Sequence, residues 1–384
     1  MRILHFTRDF PPLVRGGVSV AVGHLVHELD RLGYDQRVLS FDGYRPTGGG
    51  RGHVEWEPLG DDEETQARVL RIKSGPAYDD ERPVIQKLNP QVVHVHDPLL
   101  WPVAWRTFGE NGCYVYTLHM VHARVNEIRK LAEPTMSSTA EEIAVSAADM
   151  VLAPSTAAME WAKNAYPACA PVSVVPLGIP LRQEVPPAAD GIYADWWYIG
   201  RHGDVKGTDR LLNLAQQLKK RAPMLQGAVV SENPESPRRD ARWRRREGEE
   251  LRELGNVTLL GWQEHSELWG QIGLGSIVVV PSRCETFSMV ALEAMRAGAV
   301  VVSTRCGGPE DLIEDGVTGV LCKDIRAVVG ALIRLCSDRE QRLEMGRAAK
   351  RRALQFSSLA CAVRHAEIYA LLAVDDGEAG GPVQ

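Results

Sequence analysis

Short apolar runs that end in glycine or polar residues, each followed by a stretch with apolar side chains at helical spacing, recur along nearly the whole chain. No other feature limits the fold as tightly. A strand feeding a helix that returns beside it builds a parallel sheet with helices over its faces. Runs at residues 3–7, 36–41, 92–95, 113–118, 149–154 and 172–176 make one series; runs at 196–199, 227–230, 257–260, 276–280 and 299–303 make a second. Residues 20–32 carry the first helical period, with Ser19 as the expected N-cap and Gly33 as the stop. The Pro-rich stretch 176–190 lies between the two series and reads as a linker. The expected fold class is α/β, with two doubly wound domains.

Length agrees: 384 residues suit two cores at roughly 100–200 residues per domain. Apolar residues at 44% and charged residues at 24% exclude a disordered or collagen-like chain. The net charge of −6 argues against a nucleic-acid binder that works by bulk charge. The arginine-rich run 238–246 also holds Asp240 and leads into a Glu-rich stretch, so it reads as a solvated face. No run approaches the ~18 apolar residues of a spanning helix, and the N-terminus reaches charge and Pro11-Pro12 too early for a signal peptide. The seven cysteines stand singly, without C-x-x-C spacing, which points to reduced thiols rather than a disulfide frame or zinc site. A cytoplasmic protein without stable membrane insertion is expected.

Open parallel sheets bind ligands beyond the carboxyl ends of their strands. The chemistry is therefore expected on loops that follow strands, in a cleft between the two domains. Four loops qualify. Gly16-Gly17 precedes the first helix, where backbone amides can approach an anion, although a glycine pair there is also an ordinary tight turn. Gly200-Arg201 to Lys206-Gly207 offers two cations to one ligand or to solvent. In the third, Glu285 lies in a loop and Glu293 in the helix after it, with the amides of Ser288, Met289 and Val290 at that helix start. Carboxylates there can accept hydrogen bonds from sugar or ribose hydroxyls. Gly307-Gly308-Pro309-Glu310 is the fourth.

In this order the four clusters resemble the retaining GT-B glycosyltransferases of the family-4 type. Phe10-Pro11-Pro12 with Gly16-Gly17 is similar to the family's N-terminal glycine loop. His94, His96 and Asp97, then Thr117 to His119, are similar to its later N-domain strands. The segment from Val174 to Gly178 resembles its V-x-P-N-G, with Leu177 where asparagine is usual. Gly200-Arg201 to Lys206-Gly207 resembles its G-R…K-G, Glu285 to Glu293 its E-x7-E, and Gly307-Gly308 its glycine pair.

The resemblance implies a GT-B fold of two Rossmann-like domains facing across a cleft: 1–180 for acceptor, 181–355 for nucleotide sugar. A C-terminal helix at 356–373 would cross back to the N-domain, before a disordered tail at 374–384. Arg201 and Lys206 would bind the donor diphosphate, Glu293 the ribose and Glu285 the sugar hydroxyls. The amides of Phe287, Ser288, Met289 and Val290 would contact phosphate or sugar. Gly17 would face the phosphates and His119 the transferred sugar. The implied reaction moves a hexosyl or amino-hexosyl group from a nucleotide sugar, UDP-linked, with retention. No cofactor is expected, and no Asp-x-Asp occurs to hold a metal.

The acceptor is expected to be a soluble small molecule of natural-product or antibiotic biosynthesis. The acidic clusters at 61–64 and 79–81 would steer an aminocyclitol or amino sugar, or are simply solvated. A lipid-linked or cell-envelope acceptor, and a nucleotide-sugar epimerase of the same fold, are the alternatives.

Overall fold

The computed structural model describes residues 1–13, 16–42, 56–58, 68–73, 75–181, 194–231 and 241–378. Two compact units emerge: residues 1–126, 131–180 and 357–384 form one, and residues 127–130 with 181–356 form the other.

The N-terminal unit holds β1 (Arg2–Thr7), β2 (Asp35–Ser40), β3 (Trp56–Pro58), β4 (Arg68–Arg71), β5 (Val92–Val95), β6 (Tyr114–Thr117), β7 (Met150–Ala153) and β8 (Val172–Val174). They form one sheet in the order β3-β4-β2-β1-β5-β6-β7-β8, parallel except for β3, which pairs antiparallel with β4 at the edge. The C-terminal unit holds β9 (Trp196–Ile199), β10 (Gly227–Val230), β11 (Val257–Gly261), β12 (Ile277–Val280), β13 (Val300–Thr304) and β14 (Gly319–Cys322). Its sheet is wholly parallel, in the order β11-β10-β9-β12-β13-β14. The strand order of each sheet reverses beside its first strand, β1 or β9, which is the doubly wound arrangement. Strands β3, β4 and β14 were not expected; Arg68-Val-Leu-Arg71 has an arginine at each end of two apolar residues, too weak a run to read as a strand.

Burial on both faces explains the near-continuous apolar strands. Along β1, Leu4 and Phe6 point into one core with Val93, Val95 and Tyr116, while Ile3 points into another with Leu25, Leu29 and Val92. In the second unit Trp196, Tyr198, Ile277, Val279, Val300 and Val302 share a core with Leu211, Leu218 and Leu332. Each such side chain contributes about 1.5–3 kcal/mol by leaving water.

Two details differ from expectation. The first helix spans Gly17–Arg31, so its cap is Gly16 rather than Ser19; Ser19 already lies in the first turn, and its hydroxyl donates back to the Gly16 carbonyl at 2.9 Å. The last helix spans Ser358–Glu378, five residues into the stretch expected as a tail, and its buried face places Cys361, Ala362, Ile368 and Tyr369 against Ile3 and Leu29. Residues 379–384, most of the expected linker (182–190 of 176–190), the acidic cluster 61–64 and residues 238–240 lie outside the described residues.

Gly178 shows why the 174–178 segment needs its glycine: a Cβ there would stand 2.2 Å from the Ser357 carbonyl oxygen. Ser358 N–H donates to the Ile179 carbonyl at 3.0 Å, and its hydroxyl to buried Glu28 at 2.8 Å. None of the seven cysteines is in a disulfide, and five of them are buried.

Candidate active site

The C-terminal unit places its charged loops after β9 and β12, the neighbouring strands at which its order reverses. Tight turns bring the two loops together. Gly207 has φ 70°, and a Cβ there would meet the Pro281 carbonyl oxygen at 2.3 Å. Thr208, fully buried, accepts the Gly203 N–H at 3.0 Å. Arg283 ties the loops twice: its backbone N–H donates to Val205 at 2.7 Å, and its guanidinium grips both Asp209 oxygens at 2.6 and 2.5 Å. That pair holds the Asp209 carboxyl below its ordinary range. Nothing in the sequence singles out Arg283, and only the fold shows that it braces these loops.

The result is a charge pair. Lys206 Nζ donates to both oxygens of Glu285, at 2.8 and 2.9 Å, and Ser282 Oγ adds a third bond at 2.6 Å. Glu285 is 7% exposed and Lys206 37%, so the carboxylate is enclosed while the ammonium stays reachable. The fourth cluster supports it from behind. Glu285 N–H donates to Cys306 at 2.8 Å, and Gly308 N–H to the Glu285 carbonyl at 2.7 Å. Only glycine fits at 308, where a Cβ would lie 2.3 Å from Phe287 Cα. Glu310 accepts the amides of Cys306 and Gly307 at 3.1 and 3.0 Å and closes the turn.

Arg201 is exposed; its carbonyl accepts the Tyr198 hydroxyl at 3.1 Å, and no ion pair holds its guanidinium among the described residues. Phe287 is buried against Phe356. Ser288 adopts φ 81°, the left-handed region that non-glycine residues avoid, and opens the helix Met289–Ala297. Its first turn, with Met289 and Val290, presents the amides expected to meet an anion. Glu293 lies one turn further in, 3.2 Å from His265 Nε2. This contact raises the His265 pKa. Sequence reading missed His265, which nothing in its neighbourhood marks.

In the N-terminal unit Gly16 and Gly17 open the first helix, and Arg15 before them lies outside the described residues. His119, after β6, ends a row of imidazoles. His5 Nδ1 is 3.1 Å from His96 Nε2, and His96 Nδ1 is 3.1 Å from His119 Nε2. His94 alongside bonds Tyr369 at 2.6 Å and Thr117 at 2.7 Å. Burial lowers the pKa of His5 and of His119 to about 3 and holds His94 and His96 well below the ordinary value. His5, His94 and His96 bring ring nitrogens within 4.8 Å of one another, the spacing of a metal site. Each of their six nitrogens already meets a protein partner.

Asp79, in one acidic cluster, pairs with Arg106 at 3.2 Å, both half exposed. In the helix His122–Arg129, Arg124 lies over the Trp161 ring, 5.8 Å from its centroid. No helix among the described residues is long and apolar enough to cross a membrane.

Residues 195–338 match the family model of glycosyl transferases group 1, and residues 15–183 match that of glycosyltransferase family 4. The chain is 26% identical to a glycogen synthase of Mycobacterium tuberculosis, over 98% of this chain and 96% of that protein. It is 32% identical to the α-D-kanosaminyltransferase of Streptomyces kanamyceticus, over 45% of this chain and 44% of that one. The solved structure of Anabaena HepE in complex with UDP-glucose superposes with a TM-score of 0.70 at 16% identity, covering 96% of this chain and 99% of the other. With two parallel-sheet units, the two family models in order along the chain and paired charged loops at the second unit's reversal point, this protein belongs to the GT-B glycosyltransferases.

Proposed function

We propose that the chain transfers a hexosyl or amino-hexosyl group from a UDP-sugar to a hydroxyl of a soluble small molecule, with retention and without a divalent ion. One observation carries the reading: Lys206 is held by an enclosed carboxylate, Glu285, in loops that also place Arg201 and the start of the helix Met289–Ala297. Cations and amides fixed before the substrate arrives stabilise charge developing on a leaving diphosphate, because they need not reorganise during the reaction. The bond from the anomeric carbon to the diphosphate breaks, the acceptor oxygen bonds on the same face, and the departing phosphate oxygen takes its proton. Glu293 holds the ribose, and Glu285 the sugar hydroxyls. Gly16, Gly17 and His119 act from the N-terminal unit, which takes the acceptor.

The UDP-glucose complex of HepE supports uridine as the base, and the kanosaminyl transfer named for the Streptomyces relative supports an amino sugar among the groups moved. Asp79 is already paired, so steering of a cationic acceptor by the clusters at 61–64 and 79–81 draws on their other carboxylates.

Thermal unfolding with UDP, GDP and ADP is the first test, since a ligand that binds only the folded form raises the melting temperature. UDP should raise it most. Transfer from the corresponding UDP-sugar should persist in chelator and give a product with the donor's anomeric configuration. Loss of activity in chelator with recovery in magnesium, or an inverted product, would overturn the mechanism. Conversion of donor without any acceptor would indicate an epimerase.

A further inference from the structure

Glu293 and His265 come from separate elements of the second unit. Glu293 lies in the helix Met289–Ala297, after β12; His265 opens the short helix His265–Gln271, after β11. An ionised carboxylate only accepts, so His265 Nε2, 3.2 Å from Glu293 Oε1, carries the hydrogen and donates it. It does so whether the ring is neutral or charged. Trp269, one turn along and buried, sets its own ring edge-on to the imidazole at 6.2 Å, which limits how His265 can turn.

The carboxylate is thereby divided in use. Oε1 is held, while Oε2 has no hydrogen bond among the described residues and keeps solvent access, the side chain as a whole being 16% exposed. A glutamate without such a tether samples several rotamers and loses that freedom when a ligand binds. Here the imidazole has removed it beforehand.

We propose that His265 is a positioning residue: by holding Glu293 Oε1 it fixes Oε2 as the acceptor for a ribose hydroxyl, and so makes the site select ribonucleotides over their deoxy counterparts. The contact follows from geometry; its use rests on the reading that Glu293 meets the ribose. A nucleotide lacking the hydroxyl leaves a covered carboxylate oxygen without a donor, which costs more than the hydrogen bond is worth. A carboxylate free to swing back to water escapes that cost, and the selectivity goes with it.

Calorimetric binding of UDP and of 2′,3′-dideoxy-UDP reads this, since the second lacks both hydroxyls and differs in nothing else. The wild type should prefer UDP about tenfold, the worth of one hydrogen bond to a charged group. His265→Ala should shrink the preference to about threefold, roughly half of it in free energy, and raise the donor KM with kcat unchanged. His265→Gln, whose amide can donate to Oε1, should restore both. A His265→Ala protein that keeps the full preference, or that binds both nucleotides more weakly by the same factor, overturns the proposal. If Glu293→Ala has meanwhile lost the preference, the ribose reading survives and only the positioning fails. A wild type indifferent to the hydroxyls refutes that reading and this inference with it, without any variant having to fold.

Discussion

The two sheets wind in the same order, yet the ends of their central strands are made of opposite materials. After β9 and β12 stand ionised groups: Lys206 on Glu285, and Arg283 on Asp209. Within and just after β1, β5 and β6 stand neutral rings: His5, His94, His96 and His119, held by one another, Gln36, Tyr369 and Thr117. One topology serves both because strand order fixes where a site lies, not its chemistry. Half-exposed charge suits an anion that arrives with its own hydration. Buried neutral rings suit hydroxyls, whose direction matters more than their charge.

Acid should separate the two units most sharply. His5, His94, His96, His119 and His365 are all held below the ordinary 6.5, with His365 at about 4. A base depressed in the fold contributes stability that is full above its unfolded value and is lost as pH falls through the interval to its folded one. Protonating His5, His119 and His365 alone would cost on the order of 10 kcal/mol, comparable with a whole domain's stability of about 5–15 kcal/mol, and His94 and His96 act in the same direction. Hydrogen exchange should therefore show β1, β5 and β6 losing protection between pH 6.5 and 4 while β9 and β12 keep theirs. Simultaneous loss in both sheets would contradict the contrast.

The charged side should break by single substitution. Lys206→Ala should reduce kcat/KM by about 10²–10³-fold, the range for removing one preorganised group that meets developing charge. It should leave the acid midpoint of the first unit unmoved. A variant with full turnover would remove Lys206 from the reaction.

Glu293→Gln should act more gently, raising the donor KM by about tenfold, in line with losing a charged hydrogen bond of about 1.5 kcal/mol. It should also lower the His265 pKa, since the carboxylate is what raises it. A titration of His265 by NMR that is identical in the variant would refute that coupling.

The smallest effect tests an exception within the neutral side. Glu141, fully buried, accepts from His122 N–H and Tyr166 OH, both at 2.6 Å, and burial raises its pKa to about 7. A carboxyl raised in the fold contributes stability below its ordinary 4.5 that is lost as pH climbs toward 7, opposite in sign to the histidines. Glu141→Gln should lack this loss, gaining about 1–3 kcal/mol relative to wild type between pH 5 and 8 in urea unfolding. A constant difference across that range would show that Glu141 does not titrate there.

The charged site was largely legible in the sequence, because its residues are local: Arg201 with Lys206, and Glu285 with Glu293, each sit within one strand–loop–helix unit whose glycines mark the turns. The contact between Lys206 and Glu285 was not, since it spans 79 positions and depends on β9 lying beside β12. The imidazole row was illegible for the same reason carried further. Residues 5, 96 and 119 become neighbours only because β1, β5 and β6 are consecutive in the sheet, and no local pattern announces that order. Arg283 and His265 carry their partners on other elements and left no local trace.

The closing helix has a consequence for synthesis. Ile3, Leu25 and Val92 share their core with Cys361, Ile368 and Tyr369, and Tyr369 supplies the His94 ring with a partner. While the ribosome is still reading the second unit, the first therefore waits with one side of its sheet unsheltered. The unit that is translated later, whose described strands lie between residues 196 and 322, has what it needs to mature first, and the earlier one is sealed only once the helix that starts at Ser358 has been translated.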